Sequence, residues 1–374
     1  MPLTLDQLAR IIDEFAPFNL ACDWDNVGLQ AGDPARKIDA FLIALEINSK
    51  SIECARSNGC GAIVTHHPLI FKPLRALRED DAAGNHLCNL VRNNIGLIVA
   101  HTNLDRVLHG TNGALAERLD MRNVTLLFPE SAPGASMFKF TVFVPRGHTQ
   151  KIVDAIHRGG GARIGNYSRC SFRTPGTGTF MPGEGAKPFK GQPGRLEEAE
   201  EDRVEAVVTH AALKTVIGEM LKTHPYETPV YDVYPLLDTR EECGLGVIGE
   251  LPRKTTLRAL TAQLRAACHA PLACFAGAPG APVRRAAIIT GSAGQAARDI
   301  KTGEADALIT GELSYHIAQE VSERGLPVIT IGHAASERLF ADYLSRALMR
   351  NDSIKKSNVR ILIYDYFPDP FVLP

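Results

Sequence analysis

Short, uninterrupted apolar runs constrain this chain most. Near the start stand Ala40 to Leu45 (AFLIAL), Gly61 to Thr65 (GAIVT) and Ile95 to Ala100 (IGLIVA). Near the end stand Arg285 to Thr290 (RAAIIT), Ala307 to Thr310 (ALIT), Pro327 to Ile331 (PVITI) and Val359 to Tyr364 (VRILIY). Each is too short for a helix and too continuously apolar for a strand with a wet face. Stretches of helical periodicity separate them: Thr4 to Phe15, Lys50 to Arg56, His86 to Arg92, a segment from Gln295 and a segment from His333 through Arg346. Buried strands alternating with helices predict a parallel-type α/β sheet covered on both faces. In such sheets the ligand-binding residues follow the strand C-termini.

The middle of the chain obeys a different grammar. Met137 to Val144 alternates apolar and polar residues, as an antiparallel strand with one wet face does. Gln150 to His157 reads as helix, and Gly159 to Gly194 is rich in Gly and Pro, as a long loop or short twisted hairpins. Val204 to Thr209, a helix from Ala211 and the strand-like PVYDVYPL follow. This order predicts a ferredoxin-like α+β insert. The chain therefore divides into 1–127 and 247–374, two α/β halves of one core, and an insert over 128–246. The run Glu197 to Asp202, five acids in six residues, reads as a solvated loop.

Charge and cysteine use narrow the function classes. Lys and Arg total 41 against 42 Asp and Glu, so the basic excess of a nucleic-acid or membrane-surface binder is missing. No apolar run reaches the length of a membrane span, and the N-terminal stretch lacks the pattern of a secretory signal. The eight cysteines contain no C-x-x-C pair, which fits reduced thiols in a cytoplasmic protein.

Three stretches that each end an apolar strand carry the chemistry: Thr65-His66-His67-Pro68, His101-Thr102-Asn103-Leu104-Asp105 and Gly332-His333-Ala334-Ala335-Ser336-Glu337. His333 and Glu337, four apart at a helix start, point the same way. Adjacent histidines cannot easily serve one ion with both rings, but can serve two neighbouring ions. Three imidazoles and two carboxylates suit a pair of divalent ions bridged by a carboxylate and a water. A thiolate-free N/O set fits Zn, Fe, Mn, Co or Ni without choosing among them.

Five ordered motifs, DWDNVGLQ (23–30), THHPLIF (65–71), AHTNLD (100–105), TGELSYH (310–316) and GHAASE (332–337), make the chain similar to the NIF-three-like family, also called the GTP cyclohydrolase I type 2 family. GNYSRCSF (165–172), GTGTFMPGEG (176–185) and HPYETPVYDVYPL (224–236) make the insert resemble the PII and CutA proteins. The resemblance implies a dinuclear metal site with ligands His66, His67, Asp105, His333 and Glu337, Glu337 being the bridge. It also implies a toroidal homohexamer with the sites facing an internal cavity. His101 matches a family position and is placed around the ligands rather than among them, to orient a ligand or hold a water. Glu312 and His316 could line the same cavity, and Trp24 could wall it. His224-Pro225-Tyr226-Glu227 resembles the CutA signature. It reads first as part of a trimer-forming or capping domain and second as a regulatory metal or small-ligand site. Gly291-Ser292-Ala293-Gly294 before a helix is a weak phosphate cradle, lacking the Lys of a P-loop.

Three functions are open to such a chain. The first is a metal-dependent hydrolase acting on a nucleotide-like or other small substrate, with a water acidified by the two ions. The second is a non-catalytic store or carrier of metal. The third is a hexameric scaffold whose insert senses a ligand.

Overall fold

A computed structural model describes residues 2–131, 137–164, 167–236, 242–366 and 371. Gly165 and Asn166 of the GNYSRCSF stretch lie outside the described residues. The chain divides into two compact units, one of residues 1–131 and 242–374, the other of residues 132–241.

The larger unit contains a five-stranded and a six-stranded sheet. In the first, Arg360–Tyr364, Ala40–Ala44, Ala62–Thr65 and Gly96–Val99 lie parallel in that order, and Gly28–Ala31 closes the edge antiparallel. The three central strands are buried along their whole length, as strands covered on both faces must be. One cover is the helix Leu5–Phe15, which buries Leu5, Leu8, Ile11 and Ile12. Its first turn is closed by a reciprocal pair: Thr4 Oγ1 accepts the Gln7 amide, and Gln7 Oε1 accepts the Thr4 amide.

The second sheet runs Cys274–Ala276, Val328–Thr330, Ala307–Glu312, Pro282–Ser292, Glu242–Thr256, Arg122–Ser131. Only the Pro282–Ser292, Ala307–Glu312 and Val328–Thr330 strands are mutually parallel, and the rest pair antiparallel. Both sheets are thus mixed, where the sequence reading expects parallel ones. The short apolar runs mark the parallel centre. Gly28–Ala31, Arg122–Ser131 and Glu242–Thr256 lack that signal because they stand toward the margins. The last strand, Arg360–Tyr364, pairs with Ala40–Ala44 and so returns to the sheet of the N-terminal half. Ser131 pairs with Glu242, so the chain leaves and rejoins this unit at neighbouring positions. Residues 128 and 246 therefore fall inside paired strands of the larger unit.

Two expected helices are shorter than their periodicity suggests. The segment after Gln295 makes only Ala296–Asp299. The stretch from His333 breaks into His333–Glu337 and Phe340–Leu348.

The smaller unit is a four-stranded antiparallel sheet, ordered Ser171–Phe180, Glu197–Thr209, Met137–Pro145, Tyr231–Leu236, with helices Thr149–Arg158 and His210–Thr223. Strand–helix–strand–strand–helix–strand connectivity with this order is the split βαβ arrangement. The acidic run 197–202 is strand and not loop. Two of its acids find partners just beyond the neighbouring strand: Glu200 pairs with Arg146 at 3.0 Å, and Asp202 accepts the Thr149 hydroxyl at 2.7 Å.

Candidate metal centre

The C-terminal ends of the parallel strands carry the reactive side chains of the larger unit. His66 and His67 follow Ala62–Thr65, and both of their amides bond to the Leu45 carbonyl, at 3.2 and 2.8 Å. His101 and Asp105 follow Gly96–Val99, Asp105 as the last residue of the single turn Thr102–Asp105. His333 and Glu337 open and close the turn His333–Glu337 after Val328–Thr330.

Glu337 is the centre of this constellation and is only 4% exposed. Its Oε2 accepts from His67 Nε2 at 2.9 Å and faces His333 Nε2 at 3.2 Å. Its Oε1 faces His66 Nε2 at 3.7 Å, and that same nitrogen lies 3.6 Å from Asp105 Oδ1. The two oxygens of one carboxylate therefore serve two different groups of ligand atoms. Thr111 donates its hydroxyl to Asp105 Oδ1, which fixes that side chain, and Asn112 Nδ2 donates to the Asp105 backbone carbonyl at 2.8 Å.

The electrostatics follow from burial and proximity. Burial works to raise the Glu337 pKa, but hydrogen bonds from His333 and His67 and the nearby His66 imidazole overcome it and hold the carboxyl well below its ordinary range. Asp105 is pushed upward by burial and by the Glu337 charge, against the pull of His66. Burial works to lower His67, yet Glu337 and Glu46 together raise it to about 10. His333 rises to about 9, chiefly through its bond to Glu337. Glu46 Oε2 stands 3.6 Å from His67 Nδ1, and Glu312 Oε1 stands 3.3 Å from His333 Nδ1.

The donor set fits a cation on one specific observation. His66 is fully buried, and its Nδ1 donates to the Ala100 carbonyl at 2.8 Å, which leaves the lone pair on Nε2. Nε2 has no hydrogen-bond partner. A buried, unpartnered imidazole nitrogen aimed at two carboxylates costs free energy unless a further group occupies the space between them. Nitrogen and oxygen donors of this kind suit a divalent transition ion. Ligand atoms of His67, His333 and Glu337 lie within 4.8 Å of one another, as do those of His66, His67 and His101.

His101 thus stands inside the cluster, closer than the sequence reading places it. Its Nδ1 donates to Asp25 Oδ1 at 2.9 Å, and Asp25 Oδ2 accepts the Thr102 amide at 3.1 Å and hydroxyl at 2.5 Å. Burial opposes ionisation of Asp25, but the bonds from His101 and Thr102 prevail and bring its pKa to about 2. This carboxylate fixes the His101 tautomer, so Nε2 presents its lone pair. Trp24 is exposed, its ring 6.2 Å from His101 and 5.8 Å from the exposed ring of Phe71.

Glu312 joins the group through His333, whereas His316 does not. Its ring packs edge-on against Tyr315 at 5.4 Å on an exposed helix face, and it belongs to none of the ligand groups among the described residues. The glycines at 291–294 have a different role from a phosphate cradle. The helix after them is a single turn. Gly291 has φ +63°, and a Cβ there would meet Glu337 Oε1 at 2.3 Å. Its bareness makes room for the buried carboxylate. Asp25, Glu46 and Gly291 carry no spacing signal, because the fold alone brings them to the cluster.

Comparison with known proteins assigns the family. A model of the Duf34/NIF3 (NGG1p interacting factor 3) family matches residues 3–370. The chain is 33% identical over 362 residues to a protein of Halalkalibacterium halodurans named GTP cyclohydrolase 1 type 2 homolog, covering 97% of this chain and 96% of that one. A Bacillus subtilis protein of the same name is 32% identical, covering 98% and 97%. Among solved structures, a Bacillus cereus protein related to NIF3 superposes with a TM-score of 0.79 at 33% identity, over the whole of both chains. A Staphylococcus aureus protein superposes at 0.74 with 27% identity, covering 100% and 99%. The chain belongs to the Duf34/NIF3 family.

Proposed function

We propose that this protein is a dinuclear metal-dependent hydrolase of a nucleotide-like or other small substrate. The observation that carries the reading is the division of labour at Glu337. Its Oε1 faces His66, whose Nε2 also faces Asp105, and its Oε2 faces His67 and His333. His66, Asp105 and Glu337 would hold one ion, and His67, His333 and Glu337 the other. Zn, Fe, Mn, Co and Ni all suit these donors. Two such ions supply Lewis acidity and bring a water toward ionisation at neutral pH.

The chain's own residues do the remaining work. Asp25 keeps the His101 proton on Nδ1, so Nε2 is free to take or pass a proton at the cluster. Trp24 and Phe71 offer an exposed aromatic wall beside His101, suited to the flat base of a nucleotide. The names of the curated relatives, GTP cyclohydrolase 1 type 2 homolog, make GTP the first substrate to try. The PII/CutA-like character of the insert, the homohexamer and a cytoplasmic location belong to the same reading, on family resemblance.

The test is turnover of GTP by metal-loaded protein. His67→Ala should reduce turnover at least a hundredfold while far-ultraviolet circular dichroism stays unchanged. Undiminished turnover in that variant would overturn the assignment. A second reading, metal storage or delivery, draws on the exposure of the His333 side chain, 40%, which leaves an ion a route to solvent. Ions that pass to a chelator within minutes, with no turnover, would favour it.

A further inference from the structure

The smaller unit holds a cavity of about 410 Å³, within the size range of small-molecule sites. Its lining is chiefly apolar, and Phe143, Phe180, Phe189 and Tyr226 supply four aromatic rings. Phe189 and Tyr226 stand 6.1 Å apart, and Pro182, in the irregular segment after Ser171–Phe180, is buried at its edge.

Two features show that the interior is organised. The first is a relay that fixes Tyr226. His224 is buried, its Nε2 donates to the Phe143 carbonyl at 3.0 Å, and its Nδ1 accepts the Tyr226 amide at 3.0 Å. The His224 and Tyr226 rings lie 5.0 Å apart, edge to face. The Tyr226 hydroxyl then donates to Glu201 Oε1 at 2.7 Å. Its proton is committed, so Tyr226 offers an incoming group its ring. The second feature is the Glu201 carboxylate. Its Oε2 has no hydrogen-bond donor among the described residues. A Cβ at Gly178 would meet that oxygen at 2.4 Å, so the facing strand is bare where the carboxylate lies.

Charge decides what such a box can take. Two carboxylates line it, Glu201 and Glu227, against one ammonium, Lys190. That ammonium donates to the Glu198 carbonyl at 3.1 Å and Glu227 Oε2 accepts the Lys187 amide at 2.9 Å, so Glu201 Oε2 is the carboxylate oxygen left open. An anion would meet uncompensated carboxylate, and a neutral molecule would leave Glu201 half-paired as it lost water. A cation meets aromatic faces and a carboxylate together, the combination that recognises organic ammonium groups.

We propose that this cavity binds a small organic cation, an ammonium group carried on an apolar or aromatic body, with the charge at Glu201 and the body among Phe143, Phe180 and Phe189. The inference is independent of the metal centre.

The experiment titrates full-length protein with benzyltrimethylammonium and follows the ligand's methyl resonance by NMR, with phenylacetate and benzyl alcohol as anionic and neutral counterparts. The cation should bind at least about tenfold more tightly than either counterpart. Glu201→Gln keeps an acceptor for Tyr226 but removes the charge, and should weaken cation binding about tenfold. Phe189→Ala alters a rim residue that is more than half exposed, so its fold is safe, and binding should weaken similarly. No binding to wild type, as when a neighbouring copy of the chain fills the cavity, would overturn the proposal. So would equal affinity for all three probes, or affinity unchanged in both variants, which would mean binding elsewhere on the protein.

Discussion

Glu337 is a buried anion, and a buried anion is tolerable only when surrounding groups compensate it. Three imidazoles do so, and the space for its carboxylate depends on a missing Cβ at Gly291. Gly291→Ala should therefore be disproportionately harmful. The left-handed backbone there costs about 1 kcal/mol in any L residue, and the added methyl displaces Glu337 Oε1. We expect a lower melting temperature and weaker metal retention, both read on one preparation; a variant with wild-type metal content would refute this role for the glycine. His224 makes a prediction at the same scale. Burial is the main cause of its lowered pKa, the His148 charge adds to it, and the Phe143 carbonyl and Glu201 pull the other way. The unfolded chain takes up that proton at about pH 6.5, before the folded chain does. Stability is thus complete above about pH 6.5 and is lost as the pH falls through the lower folded value. Thermal melts between pH 7.5 and 5 should show the decline, and His224→Gln, which can still donate to Phe143, should flatten it.

At the scale of elements, the turn that carries His333 and Glu337 is clasped by one side chain. Ser336, fully buried in His333–Glu337, accepts the Gly291 amide at 2.9 Å and donates to the His333 carbonyl at 2.8 Å. This ties the turn to the strand Pro282–Ser292. Ser336→Ala leaves a buried amide without a partner, at a cost of about 1–3 kcal/mol. Denaturant unfolding should show that loss, together with weaker metal binding; unchanged stability would mean that the clasp is dispensable. The element scale is also where the sequence was most and least legible. AFLIAL, GAIVT and IGLIVA read directly as strands, because burial on both faces leaves continuous apolar runs. Arg122–Ser131 and Glu242–Thr256 were opaque, since strands at a sheet's margin mix polar and apolar residues. Glu197–Asp202 misled because a charge run says nothing of the two neighbouring strands that pair with it. The motifs that meet at Glu337 were legible because each follows a readable strand. Asp25 and Glu46 were not, because only the tertiary fold brings them beside His101 and His67.

Over the whole molecule, two units carry two separate candidate sites. The unit of residues 1–131 and 242–374 gathers imidazoles and carboxylates from both of its sheets, with His66 and His67 from one and His333 and Glu337 from the other. Its candidate metal centre thus depends on the packing of those two sheets. The unit of residues 132–241 builds an aromatic cavity from its own strands and loops. Among the described residues no helix is long and apolar enough to cross a membrane, and the eight cysteines are free thiols. The central claim is that one buried carboxylate organises two cations. Its most direct test is the metal content per chain, by elemental analysis, of wild type and Glu337→Gln purified side by side without chelator and then offered Zn, Fe, Mn, Co and Ni. The account predicts about two ions per wild-type chain and a clear loss in the variant. A wild type that stays empty with every ion, or a variant that binds as well as wild type, would contradict it.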